Sequence, residues 1–242
     1  NDSDIVLVPN PSYPIFKDGP LLANANIVDM PLKEENNYLI DFDKINPTIA
    51  KKAKFMIVSY PNNPTCAIAN DKFYLRLNDF AKKYQIIVLH DNAYSELLFE
   101  GLGRSFLSYP GAKDVGIEFN SLSKTYGLAG ARIGFAVGNK AIIEQLKTLK
   151  SNMDYGMFIP IQLAAIEAIT GDQNCVIKTR EAYQRRRDIF LKCAQEIGWN
   201  IKETKGTMFI WAKIPSLYQK SIDFVNDLFE QTGILFIPGS AF

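Results

Sequence analysis

The segment NSLSKTYGLAGARIG, residues 120–134, sets a lysine, Lys124, among serines, glycines and alanines, with Arg132 eight residues further on. At a buried strand end a lysine loses the solvation that favours its ammonium form, and the neutral amine can attack a carbonyl carbon to form a Schiff base. Ser121 and Ser123 supply hydroxyl donors beside it. A guanidinium at Arg132, set among apolar neighbours, demands an anion, and a phosphate suits it together with the two serines. Asp91 in HDNAY directly follows an apolar run, where a poorly solvated carboxylate needs a partner such as a protonated ring nitrogen. Tyr94, one turn later, could reach the same ring through its hydroxyl. Asn63 in YPNNPT carries an amide able to donate to a phenolic oxygen, in a turn stiffened by Pro61 and Pro64. Tyr13 in VPNPSYP offers an aromatic face for stacking.

Each residue alone has a plainer reading. Lys124 could be a solvated turn lysine, Asp91 the N-cap of the segment NAYSELLF, Tyr94 a packing residue, and Arg132 half of an internal ion pair. Position makes the difference. Short apolar runs, DIVLV (4–8), FMIVS (55–59), IIVLH (86–90) and VGIEF (115–119), read as strands buried on both faces. Between the second and third, NDKFYLRLNDFAKKY (70–84) places Phe73, Leu77, Phe80 and Ala81 at helical spacing, with Asn70 or Asp71 as cap. RIGFAVG (132–138) reads as a further strand, followed by helices through AIIEQLKTLK and PIQLAAIEAIT. The result is an α/β fold, a mostly parallel sheet sandwiched by helices. In an open parallel sheet the carboxyl ends of all strands lie along one edge, so residues far apart in sequence share one cleft.

After Gly171 the texture changes. A long helical stretch from about Cys175 to Ile197 precedes two expected strands (WNIKE, TMFIWAK), a helix (SIDFVNDLFEQ) and a last strand (ILFIP). This reads as a smaller α+β domain, residues 173–242, beside a large domain of residues 1–172. The cluster KTREAYQRRRD, with its interleaved acids, reads as a solvated helix face rather than a phosphate site.

Composition narrows the chemistry. Of 242 residues, 27 are basic and 26 acidic, a net charge of +1, so no charge excess advertises nucleic acid or a membrane surface as partner. The expected partner is a small molecule. Cys66, Cys175 and Cys193 are widely spaced, with no C-x-x-C pair, which fits a reducing, cytoplasmic setting; with a single histidine, His90, multi-histidine metal sites are excluded. His90 itself reads as a packed strand-end residue rather than half of a triad. There is no G-x-x-x-x-G-K-[ST], and GLAGARIG lacks the spacing of a dinucleotide site.

YPNNPT, HDNAY and above all SLSKTYGLAGARIG resemble the signatures of fold-type I, class I/II aminotransferases, which use pyridoxal 5'-phosphate. The resemblance runs essentially from end to end. It implies that Lys124 is the catalytic lysine joined to the cofactor, that Asp91 pairs with the pyridine nitrogen, and that Asn63 and Tyr94 contact the ring's phenolic oxygen. Ser121, Ser123 and Arg132 would hold the phosphate, and Tyr13 would stack on the ring. AKKYQIIVLHDNAYSELLFEG, SFLSYPGAKDVGIEFNSLSKTYG and RIGFAVGN are most similar to the LL-diaminopimelate aminotransferase branch. The implied activity is transamination between an amino acid and a 2-oxo acid, in lysine biosynthesis, by a homodimer; the same constellation also supports β-elimination in carbon-sulfur lyases and serves in non-catalytic cofactor-binding domains.

Two departures from the family pattern touch the substrate: Cys66 stands where glycine usually follows N-P-T, and Gly127 to Ala131 stand where the branch tends to carry asparagine-methionine-threonine-glycine-tryptophan. The chain also reads as truncated at both ends, without the family's glycine-rich phosphate-binding segment and its terminal carboxylate-gripping arginine, so impaired turnover is expected of these 242 residues alone.

Overall fold

The computed structural model describes residues 2–101 and 103–242. The four continuous apolar runs become strands. In chain order the strands are β1 (Ile5–Asn10), β2 (Asn26–Pro31), β3 (Ala53–Ser59), β4 (Ile87–Asp91), β5 (Gly116–Ser121) and β6 (Gly134–Gly138). They form one sheet of order β2-β1-β3-β4-β5-β6. The first five run parallel, while β6 pairs antiparallel with β5. β6 starts two residues later than RIGFAVG suggests, because Arg132 turns the chain at φ +53.

Nine helices accompany the sheet among the described residues: α1 (Ile15–Leu22), α2 (Pro47–Ala50), α3 (Asp71–Tyr84), α4 (Ala112–Val115), α5 (Leu122–Thr125), α6 (Lys140–Asp154), α7 (Ile159–Thr170), α8 (Asn174–Glu196) and α9 (Ser221–Thr232). Asn70, not Asp71, caps α3: its Oδ1 accepts the Phe73 N–H at 3.0 Å. The helix stops where Gln85 turns left-handed, φ +57, and β4 begins two residues on.

Period-2 alternation splits the strands between two layers. Leu7, Met56, Val58 and Val88 meet Phe73, Tyr74, Leu77 and Ala81 of α3 on one face. Val6, Val8 and Ile57 meet Phe16 of α1 on the other. With both faces covered, the register is fixed, and a slip of one residue would bring the wrong set of side chains to each layer. β3, β4 and β5 are therefore anchored in register, Ser59 beside Asp91 and Asp91 beside Phe119.

Two expectations fail in the last third. The stretches 199–203, 207–213 and 234–238 are not strands. A strand needs a neighbour's ladder, and the pairing here is an isolated bridge between Leu98 and Gly206, flanked by bonds from Phe99 N–H to Lys205 O and from Thr207 N–H to Leu97 O. Aromatic packing takes its place: Trp199 lies 5.5 Å from Phe224, 6.2 Å from Phe236 and 6.3 Å from Phe190, ring centre to ring centre. Nor is the basic cluster of α8 wholly a solvated face. Arg187 is buried, pairs with Asp188 and Glu203, donates to Thr204 O and lies 4.7 Å over the Phe99 ring, so it fastens α8 to the segment after β4.

Candidate active site

Four of the five parallel strands, β1, β3, β4 and β5, hand residues at their carboxyl ends to one cavity of about 800 Å³. Tyr13 follows β1, Asn63 follows β3, Asp91 ends β4 with Tyr94 after it, and Ser121 ends β5 with Ser123 and Lys124 in α5. Arg132 joins them from the turn before β6. All eight residues singled out in the sequence line this cavity.

Local chemistry explains the placement of the lysine. Ser121 caps α5, its Oγ accepting the Ser123 N–H at 3.2 Å, and the single turn that follows carries Ser123 and Lys124 beyond the end of β5. Gly127, with φ +67, then reverses the chain. That conformation accounts for one departure from the family pattern, since asparagine is the other residue that tolerates it. Cys66 has φ +61, which accounts for glycine as the family's usual residue there. Its Sγ lies 3.3 Å from Phe209 O and 3.5 Å from Pro64 O, and burial pushes the thiol up to about 11.

Electrostatically the cavity is unfinished around Asp91. Burial raises its carboxyl above the ordinary carboxylate range, opposed by one hydrogen bond from Ala93 N–H at 3.2 Å and by the neighbouring His90. No lysine or arginine among the described residues lies within ion-pair distance of it. Beside it, Asn63 Nδ2 donates to the Tyr94 hydroxyl at 3.4 Å, while Asn63 Oδ1 is buried without a partner. Burial, and then the Asp91 charge, push the Tyr94 phenol well up, so it is a donor at neutral pH.

Arg132 corrects one expectation. It is exposed rather than buried, and its guanidinium donates to Ala129 O at 2.9 Å. The left-handed turn lifts it to the cavity rim, where apolar burial does not hold it and no ion pair forms with it among the described residues. Tyr13 is half exposed and meets Phe16 edge-on at 6.2 Å. Sequence reasoning missed the opposite wall, built from Phe209, Trp211, Phe236 and Phe242. Phe209 reaches across to Tyr94, ring centres 5.3 Å apart. Its only signal was the aromatic density of MFIW, which reads equally well as a strand core.

Among the described residues, no group of three or more His, Cys, Asp or Glu is placed to hold a metal ion, and no helix is long and apolar enough to cross a membrane.

Known proteins resemble this chain in sequence and in fold. LL-diaminopimelate aminotransferase of Halothermothrix orenii is 49% identical over 243 residues, covering all of this chain and 62% of that protein. Transaminase BacF of Bacillus subtilis is 42% identical over 243 residues, again all of this chain and 61% of the relative. The structure of substrate-bound BacF superimposes with a TM-score of 0.96 over 99% of this chain and 61% of that one. The chain thus spans about three-fifths of the length of these relatives. The profile for aminotransferases of class I and II, a family of pyridoxal-phosphate enzymes, matches residues 1–242, and the chain belongs to that family.

Proposed function

We propose that the cavity holds pyridoxal 5'-phosphate and that the whole protein transfers an amino group between an amino acid and a 2-oxo acid; the name of relatives such as that of Halothermothrix orenii suggests LL-diaminopimelate as donor, and we take 2-oxoglutarate as acceptor. The observation that carries this reading is the carboxylate of Asp91, half-buried at a strand end with a single backbone donor and no cation among the described residues, in a cavity also lined by Lys124, Asn63, Tyr94, Ser121, Ser123 and Arg132. A buried anion left in that state costs free energy, and a protonated pyridine nitrogen removes the cost. The residues present fit the group.

Each side chain then has a task. Asp91 keeps the proton on the ring nitrogen. Asn63 Nδ2 and the Tyr94 hydroxyl donate to the phenolic oxygen, and Tyr13 gives an aromatic face to the ring. The Ser121 and Ser123 hydroxyls and the Arg132 guanidinium take the phosphate, for which an exposed guanidinium at the rim, with one donor on Ala129 O, has further N–H donors. Lys124 Nζ would be the amine that holds the group's carbonyl carbon, and, once free, the base that would move a proton at the substrate α-carbon. Pyridoxal phosphate supplies, when bound, an electron-withdrawing ring into which the electrons of that C–H bond are drawn. The aromatic wall keeps water away from the transfer.

The same proposal takes residues 1–172 as the cofactor-holding large domain and 173–242 as a smaller C-terminal domain. It takes the working form as a cytoplasmic homodimer.

An absorbance titration with pyridoxal phosphate, followed by borohydride reduction and peptide mapping, tests the reading. We expect a violet-absorbing band and a label on Lys124, absent from Lys124→Ala. A folded protein labelled elsewhere, or not at all, would overturn it. With an amino donor and a 2-oxo acid, exchange of the amino group without release of ammonia marks transfer; pyruvate and ammonia together would mark β-elimination instead.

A further inference from the structure

On the α3 side of β4 and β5, away from the cavity, lies a buried carboxylate to which the mechanism above gives no task. Glu118 pairs across the sheet with His90, in the register that sets Asp91 beside Phe119. Its Oε2 accepts from His90 Nδ1 at 3.1 Å, from Ser105 Oγ at 3.0 Å and from Phe106 N–H at 2.8 Å. Its Oε1 accepts from Asn120 Nδ2 at 3.1 Å. The Asn92 side chain faces it as well. Burial alone would raise this carboxyl, but these donors outweigh it and hold the group ionised, down to about 2.

The identity of the partners is informative. His90 and Asn92 are the residues immediately before and after Asp91, and Asn120 is the residue immediately before Ser121, the cap of the turn that carries Lys124. One carboxylate therefore grips the chain on both sides of Asp91 and again at the entry to the lysine turn. Beyond the β4–β5 ladder, the backbone adds a tie at this point, Asn92 N–H to Phe119 O at 2.9 Å. His90 is wedged from behind by Tyr74 of α3, whose hydroxyl lies 3.4 Å from His90 Nε2, so the grip cannot slide away from the cavity.

We propose that Glu118 is a positioning residue for cofactor binding: from the opposite face of the sheet it fixes the Asp91 carboxylate relative to the Lys124 turn. This rests on the reading of the cavity as a pyridoxal phosphate site. Because Asp91 must meet a ring nitrogen and Lys124 a carbonyl carbon of the same rigid molecule, the separation of the two strand ends is what the clamp sets.

The test is pyridoxal phosphate binding to the purified protein, read by absorbance titration and by the pH at which the visible band shifts, beside thermal unfolding without cofactor. Glu118→Gln keeps the shape but loses the charge and presents an amide to four donors. It is expected to weaken cofactor binding by about tenfold or more and to move the band's pH midpoint, as loss of supporting contacts does at other preorganised sites. Leu77→Ala removes core volume from α3 without touching the clamp; it should lower the unfolding temperature and leave affinity and midpoint unchanged. Asn120→Ala deletes one arm, preserves the charge, and should weaken binding by a smaller factor; it carries the test if Glu118→Gln does not fold. Wild-type affinity and midpoint in the Glu118 or Asn120 variants, with only stability reduced, would overturn the proposal. Failure of the unsubstituted protein to bind would instead overturn the reading of the cavity, and the proposal with it.

Discussion

Two acids stand on the same pair of strands, one residue apart in register, and they are opposites. Glu118, facing α3, is met by donors on both oxygens and is complete within the chain. Asp91, facing the cavity, has one backbone donor and is raised by its burial. The sheet separates a finished electrostatic centre from an unfinished one. A carboxylate satisfied by its own chain can hold strand ends in place; one left short of donors at a strand end is what the proposed cofactor would complete.

The sharpest way to break this comparison is to neutralise each acid without cofactor. Glu118→Gln should cost about 3 kcal/mol of unfolding free energy, the range for breaking a buried, hydrogen-bonded charge pair. Asp91→Asn should be neutral or stabilising, on the order of 1 kcal/mol, because it removes an unpaired buried charge. Denaturant unfolding of both variants decides the matter, and equal losses would sink the contrast. In the whole protein, on the function proposed above, the order reverses for Asp91: its amide should lower turnover by about a thousandfold, the scale for losing a preorganised charge at a reacting group.

A finer test uses pH. Glu118 titrates lower in the folded state than in the unfolded state, so the stability it contributes is fully present above about 4.5 and is lost as pH falls toward about 2. Asp91 is shifted the other way. Its folded carboxyl binds its proton more tightly than the unfolded one, so stability falls as pH rises above about 3.8 and through the raised folded value. Acid unfolding curves should therefore steepen below pH 4.5 through Glu118, and Asp91→Asn should remove an opposing slope above 3.8. The smallest effect concerns the turn after the lysine: Gly127→Ala meets no atom within 4 Å, yet φ +67 should cost about 1 kcal/mol through the backbone alone.

The same contrast marks what the sequence disclosed. β1, β3, β4 and β5 were legible because strands buried on both faces read as unbroken apolar runs, and the polar residues just beyond them could be assigned to one edge. The edge strand β2 was not, since Asn26, Asp29 and Pro31 interrupt its pattern, nor was α1, which contains Gly19 and Pro20. The last third misled in another way. Unbroken apolar runs in TMFIWAK and ILFIP satisfy aromatic packing as readily as a ladder, and pattern alone does not distinguish them. Arg187 was hidden for a similar reason: helical spacing shows which residues share a face, not that Phe99 and Glu203, far off in sequence, will cover that face. The Glu118 grip was invisible because its partners belong to three separate segments.

Cys66 has a practical consequence. Its sulfur is pinned between the turn after β3 and the carbonyl of Phe209 in the aromatic wall, and its thiol is held protonated, whereas Cys175 and Cys193 are exposed. An alkylating reagent at neutral pH reaches the two exposed thiols at once and Cys66 only when the wall lifts from the sheet edge. The protein thus carries its own clock: the slow third modification times the opening of the cleft, and anything that bridges the two walls slows it.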